Sequence, residues 1–307
     1  MARDPPMALE EVLMTLGRRA NQTTILFALA MALVIVGLVA WWAFLPKADV
    51  PQVEGHLWLM RRDGSNPTEL SSLYVNSPPA FGPDGMVYFS HFTGLASNLT
   101  VADPTARVVR DLGVPGKSPA PATDGIRLAY GDYGDVKLLF LNNGTRITLF
   151  QGSLATDCVT VRNIAFSPNG SLLTWVCAQP IADSDNPEST RVMAYDFASL
   201  TVRVLGREAD LTFLNEEQVV VQDAAFSLAV KNVSTWQTQR ALPGPCAEPA
   251  ADPDGRGLVC RYPPNGPTML YSIDLDSSTR APFYEDPGWV VRWPAVSLDG
   301  QWVAFVR

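Results

Sequence analysis

The chain has 307 residues, of which 47% are hydrophobic and 18% are charged, and its formal net charge is -8 at pH 7. An acidic protein of this kind argues against nucleic-acid binding, because nucleic-acid phosphates need a basic surface. The 22 glycines and 25 prolines favour many short strands joined by tight turns over long helices.

The first long apolar run predicts a membrane-spanning helix. Residues Ile25 to Leu45 carry no charge, and as a helix they extend about 31 Å at roughly 1.5 Å per residue, which matches a bilayer core. A cleaved secretory signal is the alternative, but its apolar region is shorter and ends at small residues, where this chain has Trp41 and Trp42. Arg18 and Arg19 precede the run, so the domain that follows it is expected outside the cytoplasm.

The expected organisation is therefore a short cytoplasmic segment (1–23), a transmembrane helix (24–45), a linker (46–53) and a large domain (54–307). We expect a single-pass protein of the cell membrane, with its N-terminus in the cytoplasm and the large domain in the periplasm or the extracellular space.

A strand, an Asp-Gly or Asn-Gly turn and a second strand recur through the large domain, which is the strongest short-range signal for a β-hairpin. Successive turn glycines are separated by 40, 45, 85 and 45 residues, so the third gap covers two periods of about 42 residues. A repeat without a turn glycine fits inside that gap, with Asn215 and Glu216 at its turn. The turn glycines are Gly85, Gly125, Gly170, Gly255 and Gly300.

The last repeat has room for only two of the four strands that a propeller blade needs. Residues 56–71 read as a further hairpin in the position of the missing pair, so they are expected to complete the blade begun by residues 291–307 and to close the ring. The sequence predicts an all-β fold, a six-bladed β-propeller with split-blade (2+2) closure, preceded by one transmembrane helix. The alternatives are an open solenoid or two sandwiches.

The segments FGPDGMVYF, FSPNGSLLTW and LWLMRRDGSNPTEL resemble the WD40-like PD40 repeats of the TolB-like propellers, which read PxFSPDGxxIAF and IWVMDxDGSNPxxLT. The resemblance covers nearly the whole large domain. It implies a periplasmic or extracytoplasmic six-bladed propeller that is used for protein contacts. This chain is expected to depart from TolB itself, with a membrane anchor in place of the cleaved signal and no α/β domain before the propeller, so a role in the Tol-Pal system is not implied.

The four cysteines occupy equivalent places in two repeats. Cys158 and Cys177 bracket one hairpin turn, and Cys246 and Cys260 bracket another. Their positions in the hairpins predict that the members of each pair face each other across antiparallel strands, at a separation that suits a disulfide. Two disulfides within blades are therefore predicted, which agrees with an oxidising compartment.

Catalytic and cofactor motifs are missing from the sequence. It contains no G-x-S-x-G and no phosphate-binding glycine loop, and its two histidines, His56 and His91, lie in other repeats than the cysteines, which disfavours zinc. We predict no enzyme activity, no cofactor and no metal site. A lactonase-like hydrolase with a metal in the central channel, or a ligand-binding sensor ectodomain, is the alternative. The innermost strands PAFG, PAPA, IAF, PAAD and PAVS are small and apolar, which favours a scaffold.

The predicted function is a protein-interaction scaffold or an accessory subunit of a membrane or envelope complex. Strand direction places the linker at the end of the blades that carries the connection between second and third strands. Two loops at that end, residues 178–190 and 262–267, are expected to contact a membrane-bound protein partner, because long loops on rigid scaffolds commonly carry binding. The candidate contact residues are Asp183, Asp185, Glu188 and Tyr262.

Overall fold

The computed structural model describes residues 55–153, 158–178, 190–262, 268–286 and 288–307, and their regular elements are 24 β-strands. The strands are β1 (Gly55–Arg61), β2 (Thr68–Val75), β3 (Ala80–Phe81), β4 (Val87–Phe92), β5 (Ser97–Asp103), β6 (Val108–Pro115), β7 (Lys117–Pro121), β8 (Arg127–Asp132), β9 (Asp135–Phe140), β10 (Arg146–Phe150), β11 (Thr160–Phe166), β12 (Leu172–Ala178), β13 (Thr190–Asp196), β14 (Thr201–Gly206), β15 (Asp210–Phe213), β16 (Gln218–Gln222), β17 (Ser227–Asn232), β18 (Thr238–Pro245), β19 (Ala247–Ala251), β20 (Gly257–Tyr262), β21 (Thr268–Asp274), β22 (Thr279–Asp286), β23 (Arg292–Val296) and β24 (Trp302–Val306).

The hairpin turns lie where the sequence predicts them. The five turn glycines have φ between 69° and 76°, a left-handed conformation that glycine adopts without steric cost. In each turn the preceding Asp or Asn accepts a hydrogen bond from the backbone two residues later, as Asp84 does from Met86. The turn without glycine forms in the same way, because Asn215 Oδ1 accepts from the Glu217 backbone N–H.

The strands form four antiparallel four-stranded sheets and one eight-stranded sheet. Each four-stranded sheet is a meander of consecutive strands, β7 to β10, β11 to β14, β15 to β18 and β19 to β22. The eight-stranded sheet has the order β23-β24-β1-β2-β4-β5-β6, with β3 on β4. Its β2 and β4 are joined by a single pairing, Val75 with His91. Within it β1 pairs with β24 over five residues, from Leu57 opposite Val306 to Arg61 opposite Trp302.

The first strands of the meanders lie around a common centre. They contact one another in the order β3, β7, β11, β15, β19, β23 and back to β3. This is the arrangement of a β-propeller, whose sheets surround a central channel. The prediction of an all-β propeller is therefore confirmed.

The hydrophobic core lies between the faces of neighbouring sheets. One cluster joins Ala129 and Leu138 of one sheet to Leu173 and Trp175 of the next, and Trp175 is fully buried. Both disulfides lie in such clusters. Burial of apolar area between successive sheets stabilises the ring, because a sheet alone leaves one face in water.

Four of the first strands contain a β-bulge that the sequence did not reveal. The pairing of each with its second strand is interrupted, and one residue at the interruption has a left-handed φ between 51° and 56°. A bulge inserts an extra residue and redirects the side chains near it. The bulge residues are Ser118, Asn163, Glu248 and Trp293.

The disulfides form as predicted, but the cysteines are not in the predicted register. Both disulfides are present, with Cα–Cα distances of 4.9 Å for Cys158–Cys177 and 5.8 Å for Cys246–Cys260. The cysteines of a pair are not directly opposed, however, because Cys177 pairs with Val161 in the ladder. Cys158 lies just before β11 and Cys246 just before β19, so each disulfide joins the start of a first strand to the second strand beside it.

Among the described residues, no helix is long and apolar enough to cross a membrane. The predicted span 24–45, the segment 1–23 and the linker 46–53 lie outside the described residues.

Candidate binding site at the mouth of the central channel

Six equivalent positions mark the end of the channel at which the first strands begin. Each lies two residues before an alanine or threonine that pairs with the second strand of its hairpin. Four of the six are the bulge residues. The six are Pro78, Ser118, Asn163, Asp210, Glu248 and Trp293.

A cavity of about 210 Å³ opens at this end of the channel. It is lined by the first strands β3, β11, β15, β19 and β23 and by the residues just before β3. Its walls are small and apolar for the most part, as the sequence predicts. Thr212 adds a hydroxyl group to these walls. Four of the six equivalent positions add polar or aromatic side chains, and these are Asn163, Asp210, Glu248 and Trp293.

Asp210 is the unusual group in this cavity. The residue is only 9% exposed, and its Oδ1 accepts a hydrogen bond from the Leu211 backbone N–H at 2.7 Å. No other hydrogen bond to this carboxylate occurs within the described parts of the chain. Burial, followed by the nearby Glu248 carboxylate, raises the pKa of Asp210 to about 7, against smaller opposing effects of the Leu211 hydrogen bond, Arg162 and Arg261.

Glu248 lies beside Asp210, and its Oε2 oxygen is engaged. Its Oε2 accepts from the Trp293 backbone N–H at 2.7 Å and lies 2.9 Å from Arg261 Nε. The Glu248 backbone N–H donates to Gln222 Oε1 at 2.7 Å. Glu248 therefore links two first strands, and both Glu248 and Asp210 line the cavity.

The innermost-strand phrases are small and apolar, as predicted, but polar or aromatic side chains directly precede four of the five phrases at this mouth. Each phrase begins one residue after the equivalent position of its strand, and the repeat at Asp210 has no turn glycine by which to align it. Starting all six first strands one residue earlier brings Asn163, Asp210 and Glu248 into the comparison. Within the described ranges, no group of three His, Cys, Asp or Glu side chains is placed to hold a metal ion.

The structure describes only part of the predicted partner loops. Asp183, Asp185 and Glu188 lie outside the described residues, so their role stays a prediction. Tyr262 ends β20 and is half-buried. The Arg280 guanidinium lies 4.7 Å from the ring centre of Tyr262 and 3.9 Å from that of Tyr271. Tyr262 is thus held against its own sheet and does not line the channel-mouth cavity.

Exposed apolar side chains occur at the same end of the strands. Leu95, in the β4–β5 turn, is 97% exposed, and Tyr133, in the β8–β9 turn, is 88% exposed. Together with Phe92 and Pro115 they line a groove of about 330 Å³. Trp289, in the connection from β22 to β23, is also exposed. Exposed apolar groups that cluster at one end of a scaffold often mark an interaction surface.

The fold and this site define a β-propeller with a candidate binding site at one mouth of its channel. The sequence matches no family model and no curated protein. The structure is similar to TolB from Acinetobacter baumannii, with a TM-score of 0.59 and 14% identity over 80% of this chain and 67% of that one.

Two further solved structures share the fold. One is a nidogen/laminin complex, with a TM-score of 0.56 and 15% identity over 75% of this chain and 93% of that one. The other is an oligogalacturonate lyase in complex with manganese, with a TM-score of 0.53 and 14% identity over 80% of this chain and 78% of that one. Likeness at this level of identity establishes the TolB-like propeller fold and leaves function to the site.

Proposed function

We propose that this protein is a membrane-anchored, extracytoplasmic propeller that binds a membrane-bound protein as a scaffold or accessory subunit of a membrane or envelope complex. The observation that carries the proposal is the groove lined by the exposed Leu95 and Tyr133, at the same end of the strands as the channel-mouth cavity. The fold is also used by a protein in the nidogen/laminin complex.

We infer six blades with split-blade closure. The cyclic contacts of six first strands support this number. The eight-stranded sheet then consists of two blades, β3 to β6 and β23-β24-β1-β2, linked by the single Val75–His91 pairing. The ladder between β1 and β24 is the contact expected where the two ends of the propeller complete one blade.

Two arguments support a location outside the cytoplasm. The disulfides Cys158–Cys177 and Cys246–Cys260 persist in oxidising compartments. In the sequence, Arg18 and Arg19 precede the apolar run 25–45, and this order favours a cytoplasmic N-terminus. Protease added outside intact cells or spheroplasts should digest the 54–307 domain and leave residues 1–20 protected, whereas digestion of the N-terminus would contradict the orientation.

Affinity purification of the full-length protein in mild detergent tests the scaffold role. We expect at least one membrane protein to co-purify at a constant ratio, and recovery of this chain alone would contradict the proposal. Deleting residues 180–189 tests the predicted acidic loop in the same assay. That deletion should leave both disulfides intact and weaken co-purification, and undiminished recovery would remove the loop from the interface.

A hydrolase acting at the channel mouth is the second candidate, and Asp210 is the observation that favours it. A buried carboxyl group with a pKa of about 7 suits general acid or base catalysis near neutral pH, and a lyase with bound manganese shares the fold. Assays of lactone and ester hydrolysis, with and without Mn²⁺ or Ca²⁺, decide the matter. Turnover that is lost in Asp210→Asn would support the hydrolase, and no turnover under any condition would exclude it for these substrates.

A further inference from the structure

The Asp210 carboxylate receives only one hydrogen bond from the described residues. It is buried, its Oδ1 accepts only from the adjacent Leu211 N–H, and no other hydrogen bond reaches it from the described residues. A buried charge is costly unless it is paired and hydrogen-bonded. A bound cation that carries its own donors would meet both needs.

Other groups in the cavity are suited to a cation with several donors. Asn163 and Thr212 line the same space and bring an amide oxygen and a hydroxyl, both hydrogen-bond acceptors. The Thr212 hydroxyl already accepts from the Ala251 N–H at 3.3 Å and keeps a second lone pair. Trp293 also lines the cavity, and an indole ring within about 6 Å attracts a cation.

Three charged side chains act on Asp210: Glu248 raises its pKa, and Arg162 and Arg261 lower it by a smaller amount. Glu248 and Arg261 form an ion pair with each other, so they largely cancel. Arg162 also favours ionisation of Asp210 through its charge, but it does not line the cavity. The net charge of -8 for the whole protein further favours the approach of cations.

The size and donor set distinguish an organic cation from a metal ion. A cavity of about 210 Å³ is several times larger than one water molecule, which occupies about 30 Å³ in the liquid. Ca²⁺ takes about six to eight oxygen ligands, and the Glu248 Oε2 oxygen is already engaged by Trp293 and Arg261. A primary ammonium has three donors and no acceptor, which matches three acceptors and an aromatic wall.

We propose that the channel-mouth cavity binds a primary ammonium group, and that the protein partner supplies it as a lysine side chain. This inference rests on the proposed scaffold function and names the chemistry by which the partner is recognised. Asp210 pairs with the ammonium, Asn163 and Thr212 accept its remaining hydrogen bonds, and the alanines of the first strands surround the lysine methylenes.

Calorimetric titration of the full-length protein in detergent with Nα-acetyl-lysine methylamide tests the ammonium site. The Nζ-acetylated analogue, which has no charge, and CaCl₂ are the comparison probes. We expect binding of the lysine probe alone, weaker by about tenfold at pH 6 than at pH 8, because the ionised fraction of Asp210 falls by that factor around a pKa of about 7. Equal binding of the uncharged analogue, or binding of Ca²⁺ in place of the lysine probe, would overturn the proposal.

Three variants make the test specific. Asp210→Asn should abolish binding of the lysine probe and its pH dependence. Asn163→Asp should tighten binding severalfold at pH 8, and aspartate tolerates the left-handed conformation of this position. Asp103→Asn, at the end of β5 where Asp103 accepts backbone N–H groups, is the matched control and should bind as the natural protein does. Binding that is unchanged in the first two variants would overturn the proposal.

Co-purification with the same variants tests the source of the ammonium. Loss of the partner from Asp210→Asn, with recovery from Asp103→Asn, supports a partner lysine. Full recovery of the partner from Asp210→Asn would contradict the lysine source even if the probe binds. Failure of any partner to co-purify with the natural protein would instead contradict the scaffold function, and the probe titration would still decide whether the cavity binds an ammonium group.

Discussion

Arg261 Nε lies 2.9 Å from Glu248 Oε2, and the two side chains are only 7% and 15% exposed. Arg261 belongs to β20 and Glu248 to the bulge of β19, so this ion pair fixes the bulge beside the channel mouth. The Trp293 backbone N–H donates to the same Glu248 oxygen, which extends the contact to the first strand of the neighbouring sheet.

Replacing Arg261 by Met should therefore destabilise the fold by about 3 to 5 kcal/mol, because it leaves the Glu248 carboxylate buried without its partner. The double variant Arg261→Met, Glu248→Gln should recover part of this loss. Thermal unfolding of the purified protein, followed by near-UV circular dichroism, measures both. A single variant as stable as the natural protein would contradict a buried ion pair at this position.

Asp210 should make stability depend on pH. Its folded-state pKa of about 7 lies above its ordinary value of 3.8, so the folded state holds the proton more tightly, and this contribution to stability is lost as pH rises from about 4 to about 7. Asp210→Asn should match the natural protein near pH 4 and exceed it above pH 7 by at most about 4 kcal/mol. Unfolding free energies measured across this range test the prediction, and a difference that does not change with pH would contradict it.

Split-blade closure predicts that the β1–β24 ladder is essential to the fold. Leu57 is fully buried and pairs with Val306, so Leu57→Ala should cost about 2 to 5 kcal/mol, as in any well-packed core. Leu173→Ala, in the uninterrupted blade that begins at β11, is a matched comparison, and the exposed Leu73→Ala should have little effect. A small effect of Leu57→Ala in unfolding measurements would show that the first hairpin is not part of the ring.

The disulfides should add stability through the loops that they close. Their sequence separations are 19 and 14 residues, for which chain entropy gives about 3 kcal/mol each. Replacing both Cys246 and Cys260 by Ala should lower the unfolding free energy by roughly that amount. Mass mapping of non-reduced peptides should recover only the Cys158–Cys177 and Cys246–Cys260 pairs, and peptides that join the two repeats would contradict the structure.

The sequence predicts the repeating part of this protein well, because turns depend on local chemistry. Asp84 with Gly85, and even Asn215 without a glycine, form their turns from neighbouring residues alone. The bulges at Asn163 and Glu248 were not predicted, since an inserted residue has no turn-like signature and the pairing that defines it involves a second strand. Asp210 is unusual because it is buried in a cavity that five first strands line. No local sequence pattern shows which strands will meet there.

Site-specific photo-crosslinking from the exposed end of the propeller tests the central claim most directly. The experiment places benzoylphenylalanine at one of two positions and compares the crosslinks in intact cells. One position is Tyr133, in the β8–β9 turn. The other is Leu200, which is 70% exposed in the β13–β14 turn at the opposite end of the strands. The account predicts a crosslink to one membrane protein from position 133 and none from position 200. Crosslinks from position 200 alone, or from neither position, would contradict docking at the channel-mouth end.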